Sequence, residues 1–161
     1  ANLPSLKTLT ISTGKIDLQG IENLSALEGL WLDNCQPFNI EGIGRLTNLE
    51  ILLLNLTSPA PSLRFLQGMP NIVTLNFEAD IWVNGTYRGF PGEPEAYQVL
   101  DVSPLATLKN LQSLTCFNFI IKNISSLDVL DAFSSSIYLL GSRLYDETEK
   151  SKHDLVFKVY K

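Results

Sequence analysis

The sequence predicts an α/β solenoid, a stack of similar coils, each built from one short parallel strand and one short helical or 3₁₀ return. Two observations carry the prediction. The first is a recurrence: Leu27, Leu30 and Leu32, followed by Cys35, come back as Leu49, Leu52 and Leu54 twenty-two positions later. The second is a change of phase inside that interval, where apolar residues step by threes through Ile40, Ile43, Leu46 and Leu49. Alternation with period two belongs to a strand with one buried face, and a step of three belongs to a tight helical return. Composition agrees. Over 161 residues, 45% are hydrophobic and 18% charged, apolar enough to bury a core and too apolar for disorder.

The first coil runs through Leu6, Leu9 and Ile11, with Gly14 at the turn position, Ile16 after it, and a return at Leu18, Ile21, Leu24 and Leu27. The second is the stretch already described. The third has its strand at Leu49, Leu52 and Leu54, Thr57 at the turn, and a return at Leu63, Leu66, Met69 and Ile72. The fourth strand is Ile72, Leu75 and Phe77, with Asp80 at the turn; the next strand begins only at Leu111, so this coil carries about seventeen extra residues. In that insertion Asn84-Gly85 sits between two β-prone triplets, which predicts a hairpin over Ile81–Arg88, because a tight hairpin turn needs positive φ at both central residues. The return resumes at Val102, Leu105 and Leu108. The fifth strand is Leu111, Leu114, Cys116 and Phe119, with a long return through Ile121, Ile124, Leu127, Leu130 and Phe133. Ser136 to Leu140 and Leu155 to Tyr160 look like strands flanking a charged connector, and we expect them to form an antiparallel capping pair.

The strand pattern L-x-x-L-x-L-x-x-N/C-x-L resembles the leucine-rich repeat. Its period of twenty-two, with apolar residues every third position on the return, is most similar to the short subtype of bacterial internalins and of eukaryotic phosphatase-regulator repeats. The resemblance implies a right-handed solenoid with parallel strands on the concave face and short helical or 3₁₀ returns on the convex face. It also implies a rigid surface that docks a macromolecular partner without performing chemistry. The expected organisation is an array over 1–133 with an insertion at about 81–98 and a strand cap over 134–161. Nothing cap-like precedes the first coil and the first residue is Ala, so further N-terminal sequence or a neighbouring domain is expected.

A net charge of −5 with no Lys/Arg cluster argues against a nucleic-acid or anionic-lipid surface. No apolar run approaches the ~20 residues of a bilayer span, so no membrane insertion is expected. The two cysteines fall on strands about three layers apart, roughly 14 Å, against the ~7 Å that a disulfide allows, so both are read as free buried thiols. Unpaired thiols lean toward a cytoplasmic location and leave a secreted or cell-surface one open. No cofactor is implied. Enzyme signatures are absent: His153, the only histidine, sits in the charged connector, and there is no zinc spacing, phosphate loop or nucleophile elbow.

Candidate binding residues come from the strand positions between the inward leucines, which point out of the concave face. The middle row is Thr10, Trp31, Leu53, Asn76 and Thr115. Trp31, Ile51 and Leu53 make an apolar patch where water alone would favour polar residues, the anchor pattern of an interface. Asp33, Asn55, Asn76 and Glu78 stand beside it to set orientation, and Phe117 extends the face. The insertion contributes Trp82, Tyr87 and Arg88, types enriched at interface anchors. The expected function is protein–protein recognition. Alternatives are a structural or sensory domain of a longer protein, or a carbohydrate-binding surface.

Overall fold

Each coil begins where the leucine alternation begins. The computed structural model describes residues 3–12, 14–57, 61–79, 82–83, 86–87, 98–130, 137–146 and 155–158. In chain order the strands are β1 (Thr8–Ser12), β2 (Lys15–Asp17), β3 (Gly29–Phe38), β4 (Ile51–Leu56), β5 (Thr74–Ala79), β6 (Trp82–Val83), β7 (Thr86–Tyr87), β8 (Gln98–Asp101), β9 (Ser113–Phe117), β10 (Phe119–Lys122), β11 (Ile137–Leu140), β12 (Arg143–Leu144) and β13 (Leu155–Lys158). The main sheet has the order β1-β3-β4-β5-β9-β11-β13, every neighbouring pair parallel. Chain order and spatial order agree, as stacked coils require.

The returns are Ile21–Asn23, Ile40–Arg45, Leu63–Leu66, Ser103–Thr107 and Ile124–Val129. All are 3₁₀; among the described residues no α-helix occurs, so the helical part of the expected α/β class is 3₁₀ throughout. The step of three has a direct cause. The apolar residues are themselves joined by i→i+3 backbone bonds: Ile21, Leu24 and Leu27 N–H groups donate to the carbonyls of Leu18, Ile21 and Leu24, and Leu105, Leu108 and Leu111 repeat the pattern. Each aliphatic therefore eclipses the next and all point inward.

After its concave strand the chain bends. Asn34 and Asn118 take left-handed backbone conformations at the bend (φ 54° and 64°), as does Gly141 (φ 64°). Beyond it, β2 pairs with the far end of β3, and β8, β10 and β12 form a second parallel ladder. In two coils the residue after the bend turns inward and its side chain bonds the backbone. Cys35 Sγ donates toward Asp33 O (3.1 Å) and Ile11 O (3.4 Å). Four layers on, Ser142 takes the same place: its hydroxyl donates to Cys116 O and accepts from Phe119 N–H, both at 3.0 Å.

Ser142 corrects the reading of the C-terminal strands. β11 and β13 are parallel, not antiparallel, and they extend the main sheet. Ile137, Leu139, Ser142 and Leu144 repeat the strand-and-bend pattern of a sixth coil, in register with Leu114 and Cys116. One strand after the insertion is not expected from the sequence: Gln98–Asp101 forms β8. β6 and β7 pair antiparallel as the predicted hairpin, and β8 belongs to the second ladder.

The core is one continuous file of aliphatics. Leu27, Leu30, Leu49, Leu52, Leu75, Leu114, Leu127 and Leu139 are all 0% exposed, while the first coil's Leu6, Leu9 and Ile11 are only partly covered. An asparagine ladder ties the returns together: the amides of Asn48, Asn71 and Asn110 donate to Ser25, Thr47 and Pro70 carbonyls of the preceding coil (2.8, 2.9 and 2.6 Å).

Candidate functional site

The outward rows of the main sheet stand in register. Thr10, Trp31, Leu53, Asn76 and Thr115 are direct cross-strand partners, and Tyr138 continues the row on β11. Trp31 and Leu53 are thus adjacent and both half-buried, on the face opposite the core. Parallel neighbours sit ~4.8 Å apart, so the pair presents one continuous apolar surface.

A hollow of about 500 Å³ opens on this face. It is bounded by Thr8, Thr10 and Ser12 on β1, Trp31 and Asp33 on β3, Leu53 and Asn55 on β4, and Asn76 and Glu78 on β5. Six of the residues singled out in the sequence therefore share one depression. Ile51 lies beside Gly29 and Thr74 at the edge of the same patch, and Phe117 lies beside Glu78 on the far side from the hollow. Trp82 and Tyr87 are backbone partners across the hairpin, and Arg88 and His153 are outside the described residues.

Gly29 has a role that the sequence reading missed. A Cβ at Gly29 would lie 2.3 Å from the Trp31 ring, so the indole rests directly on the glycine backbone two residues back along the same face. A side chain there would force the ring off its seat. Tyr138, 37% exposed on the same row, was also missed, because its coil was read as a cap.

The polar side of the hollow is organised by Asn55, whose amide donates to Asp33 Oδ1 at 3.1 Å. Asn55 also pairs in register with Glu78, so it stands between the two carboxylates and separates them by two strands, no arrangement for a shared proton. Asn76 Oδ1 is buried and has no hydrogen-bond donor. Among the described residues that line the hollow, none is Lys or Arg. Among the described residues no group of three His, Cys, Asp or Glu side chains converges, and no helix is long and apolar enough to cross a membrane.

Elsewhere, charge serves structure. Asp17 is held below the usual carboxylate range by the Gln19 N–H and then by the Asn39 amide. Asp101 repeats this one ladder over. Burial works against its ionised form, but bonds from Asn123 and Ser103, with the Lys122 charge, outweigh it and leave the group lowered. Both cysteines are free and buried, and burial pushes the Cys116 thiol far up, so it carries no thiolate chemistry at neutral pH.

The coil geometry, with one parallel strand and a 3₁₀ return stacked in chain order around a file of buried aliphatics, is that of a leucine-rich-repeat solenoid. No protein-family model matches the sequence, and no curated protein matches it. Among solved structures the chain is similar to an internalin (InlF) of Listeria monocytogenes, at 21% identity and a TM-score of 0.44, over 90% of this chain and 51% of that one. It is also similar to internalin C2 of the same organism, at 18% identity and a TM-score of 0.46, over 94% of this chain and 79% of that one. The chain thus spans about half the length of the InlF structure.

Proposed function

We propose that the chain is a non-catalytic recognition module that captures a protein partner on the open face of its main sheet. The observation that carries this reading is the placement of Trp31 and Leu53 side by side, half-exposed, over a hollow on the outward face of the sheet. Both side chains are already half-buried, so covering what remains exposed contributes about 1 kcal/mol each, with the indole as the larger anchor. Asp33, Asn55, Asn76 and Glu78 orient the partner, Ile51 and Phe117 widen the apolar contact, and Trp82, Tyr87 and Arg88 of the insertion supply a second contact region.

The test is capture of partners by crosslinking or pull-down with wild type and with Trp31→Ala/Leu53→Ala. Loss of the captured species at unchanged thermal midpoint supports the reading; an unchanged set of captured species removes the open face as the docking site. A sugar-binding surface is the competing reading, favoured by the half-exposed indole of Trp31 on the hollow. Glycan-array signals that vanish in Trp31→Ala would replace a protein partner with a carbohydrate.

A further inference from the structure

The first outward row of the main sheet has a gap in it. Thr8, Gly29, Ile51, Thr74 and Ser113 stand in register across β1, β3, β4, β5 and β9, and only Gly29 carries no side chain. Thr8 is exposed and Ile51, Thr74 and Ser113 are half-buried, yet Gly29 is buried. The Trp31 ring covers it. A Cβ at position 29 would stand 2.3 Å from the indole Cη2 and 2.4 Å from Cζ3, so the benzo edge of the ring occupies the space that a side chain there would need. The gap is one strand wide, with β-branched Thr8 and Ile51 on the strands ~4.8 Å to either side. Gly14 is the contrast: a Cβ there would meet nothing within 4 Å.

We propose that Gly29 is the positioning residue of the docking surface: its bare backbone holds the Trp31 indole in one rotamer over the gap between Thr8 and Ile51, so that the anchor is set before a partner arrives. The proposal rests on the reading of the open face as the docking surface and adds what makes Trp31 effective there. A large side chain that is free to sample rotamers loses that freedom on binding, which weakens capture roughly two- to tenfold per side chain. A seated ring has already lost it on folding. Trp31 lines the hollow and Gly29, beneath it, does not. Residue 29 therefore sets the place of the apolar wall without touching the partner.

The experiment compares wild type, Gly29→Ala and Gly14→Ala as whole chains, by nuclear magnetic resonance, thermal unfolding and crosslinking capture. In wild type the Trp31 Hη2 and Hζ3 protons show Overhauser contacts to the Gly29 Hα protons. Gly29→Ala loses the seated ring and captures the species crosslinked to wild type about two- to tenfold more weakly, at a near-native thermal midpoint. Gly14→Ala keeps both the contacts and the capture yield. Where Gly29→Ala fails to fold, Gly29→Ala/Trp31→Ala decides: with no ring to displace it unfolds at the midpoint of Trp31→Ala, and a lower midpoint overturns the inference. Absence of the Overhauser contacts in wild type overturns it too, as does full capture by a folded Gly29→Ala chain. Each of these leaves the docking reading standing. That reading falls, and the inference with it, when Trp31→Ala/Leu53→Ala captures the same species as wild type.

Discussion

Strand β4 uses leucine in two ways. Leu52, Leu54 and Leu56 point into the stack and are 0%, 1% and 2% exposed. Leu53, on the other side of the same strand, is half-buried and lines the hollow, with half-buried Ile51 at the edge of the patch. Residue type is the same and only the parity of the position differs. On one parity an aliphatic side chain is locked between coils above and below it. On the other it has neighbours on the sheet but none above, so it stabilises little and remains available to a partner. A leucine's contribution in this fold is therefore set by its place in the period of two, not by its hydrophobicity.

The largest expected effect breaks the inner side. Leu54→Ala removes a methyl-rich side chain from a layer that cannot collapse, at a cost of about 2–5 kcal/mol by urea denaturation, whereas Leu53→Ala costs less than about 1 kcal/mol. Equal losses at the two positions would erase the distinction between the faces. Next is Gly44 on the return side. A Cβ there would stand 2.1 Å from the Phe65 carbonyl oxygen of the following coil, so Gly44→Ala forces the returns apart and costs about 1–3 kcal/mol. Of similar or smaller size is Ser142→Ala, which leaves the buried Phe119 N–H without its acceptor; about 1–3 kcal/mol is expected by the same measurement.

The smallest effect appears only in alkali. Cys116 keeps its proton in the folded chain, while in the unfolded chain the thiol titrates near 9.0. Below that pH both states carry the proton and the linkage is silent. Above it the unfolded chain releases a proton that the folded chain retains, so stability falls as pH rises. Comparing wild type with Cys116→Ala between neutral and alkaline pH isolates this component, which should be missing from the variant.

Much of the fold was legible because the aliphatic ladder changes period within each coil, and each period has a single geometric meaning. The sixth coil was not, because Ser134 stands where the pattern calls for Leu and Ser142 where it calls for Asn or Cys. A serine in the second place satisfies the backbone as well as a cysteine does, but it does not look apolar in sequence. β8 was hidden for a related reason: it follows the insertion, where no leucine count marks the resumption of the coil. The asparagine ladder was in plain view as Asn before the return aliphatic at 48, 71 and 110, yet its partners lie a coil away, and spacing alone does not reveal them. On the candidate site, the row containing Trp31 and Leu53 follows from strand parity. The seating of the indole on Gly29 does not, because a rotamer choice decides it. Tyr138 was lost with its coil.

The account turns on separating the two faces, and one paired measurement tests that directly: unfolding free energy and partner capture on the same preparations of Leu54→Ala and Trp31→Ala/Leu53→Ala. The expected result is a large loss of stability for the first and, for the second, near-native stability with capture abolished. A face double variant that unfolds as readily as Leu54→Ala, or one that stays stable and still captures its partner, would contradict it.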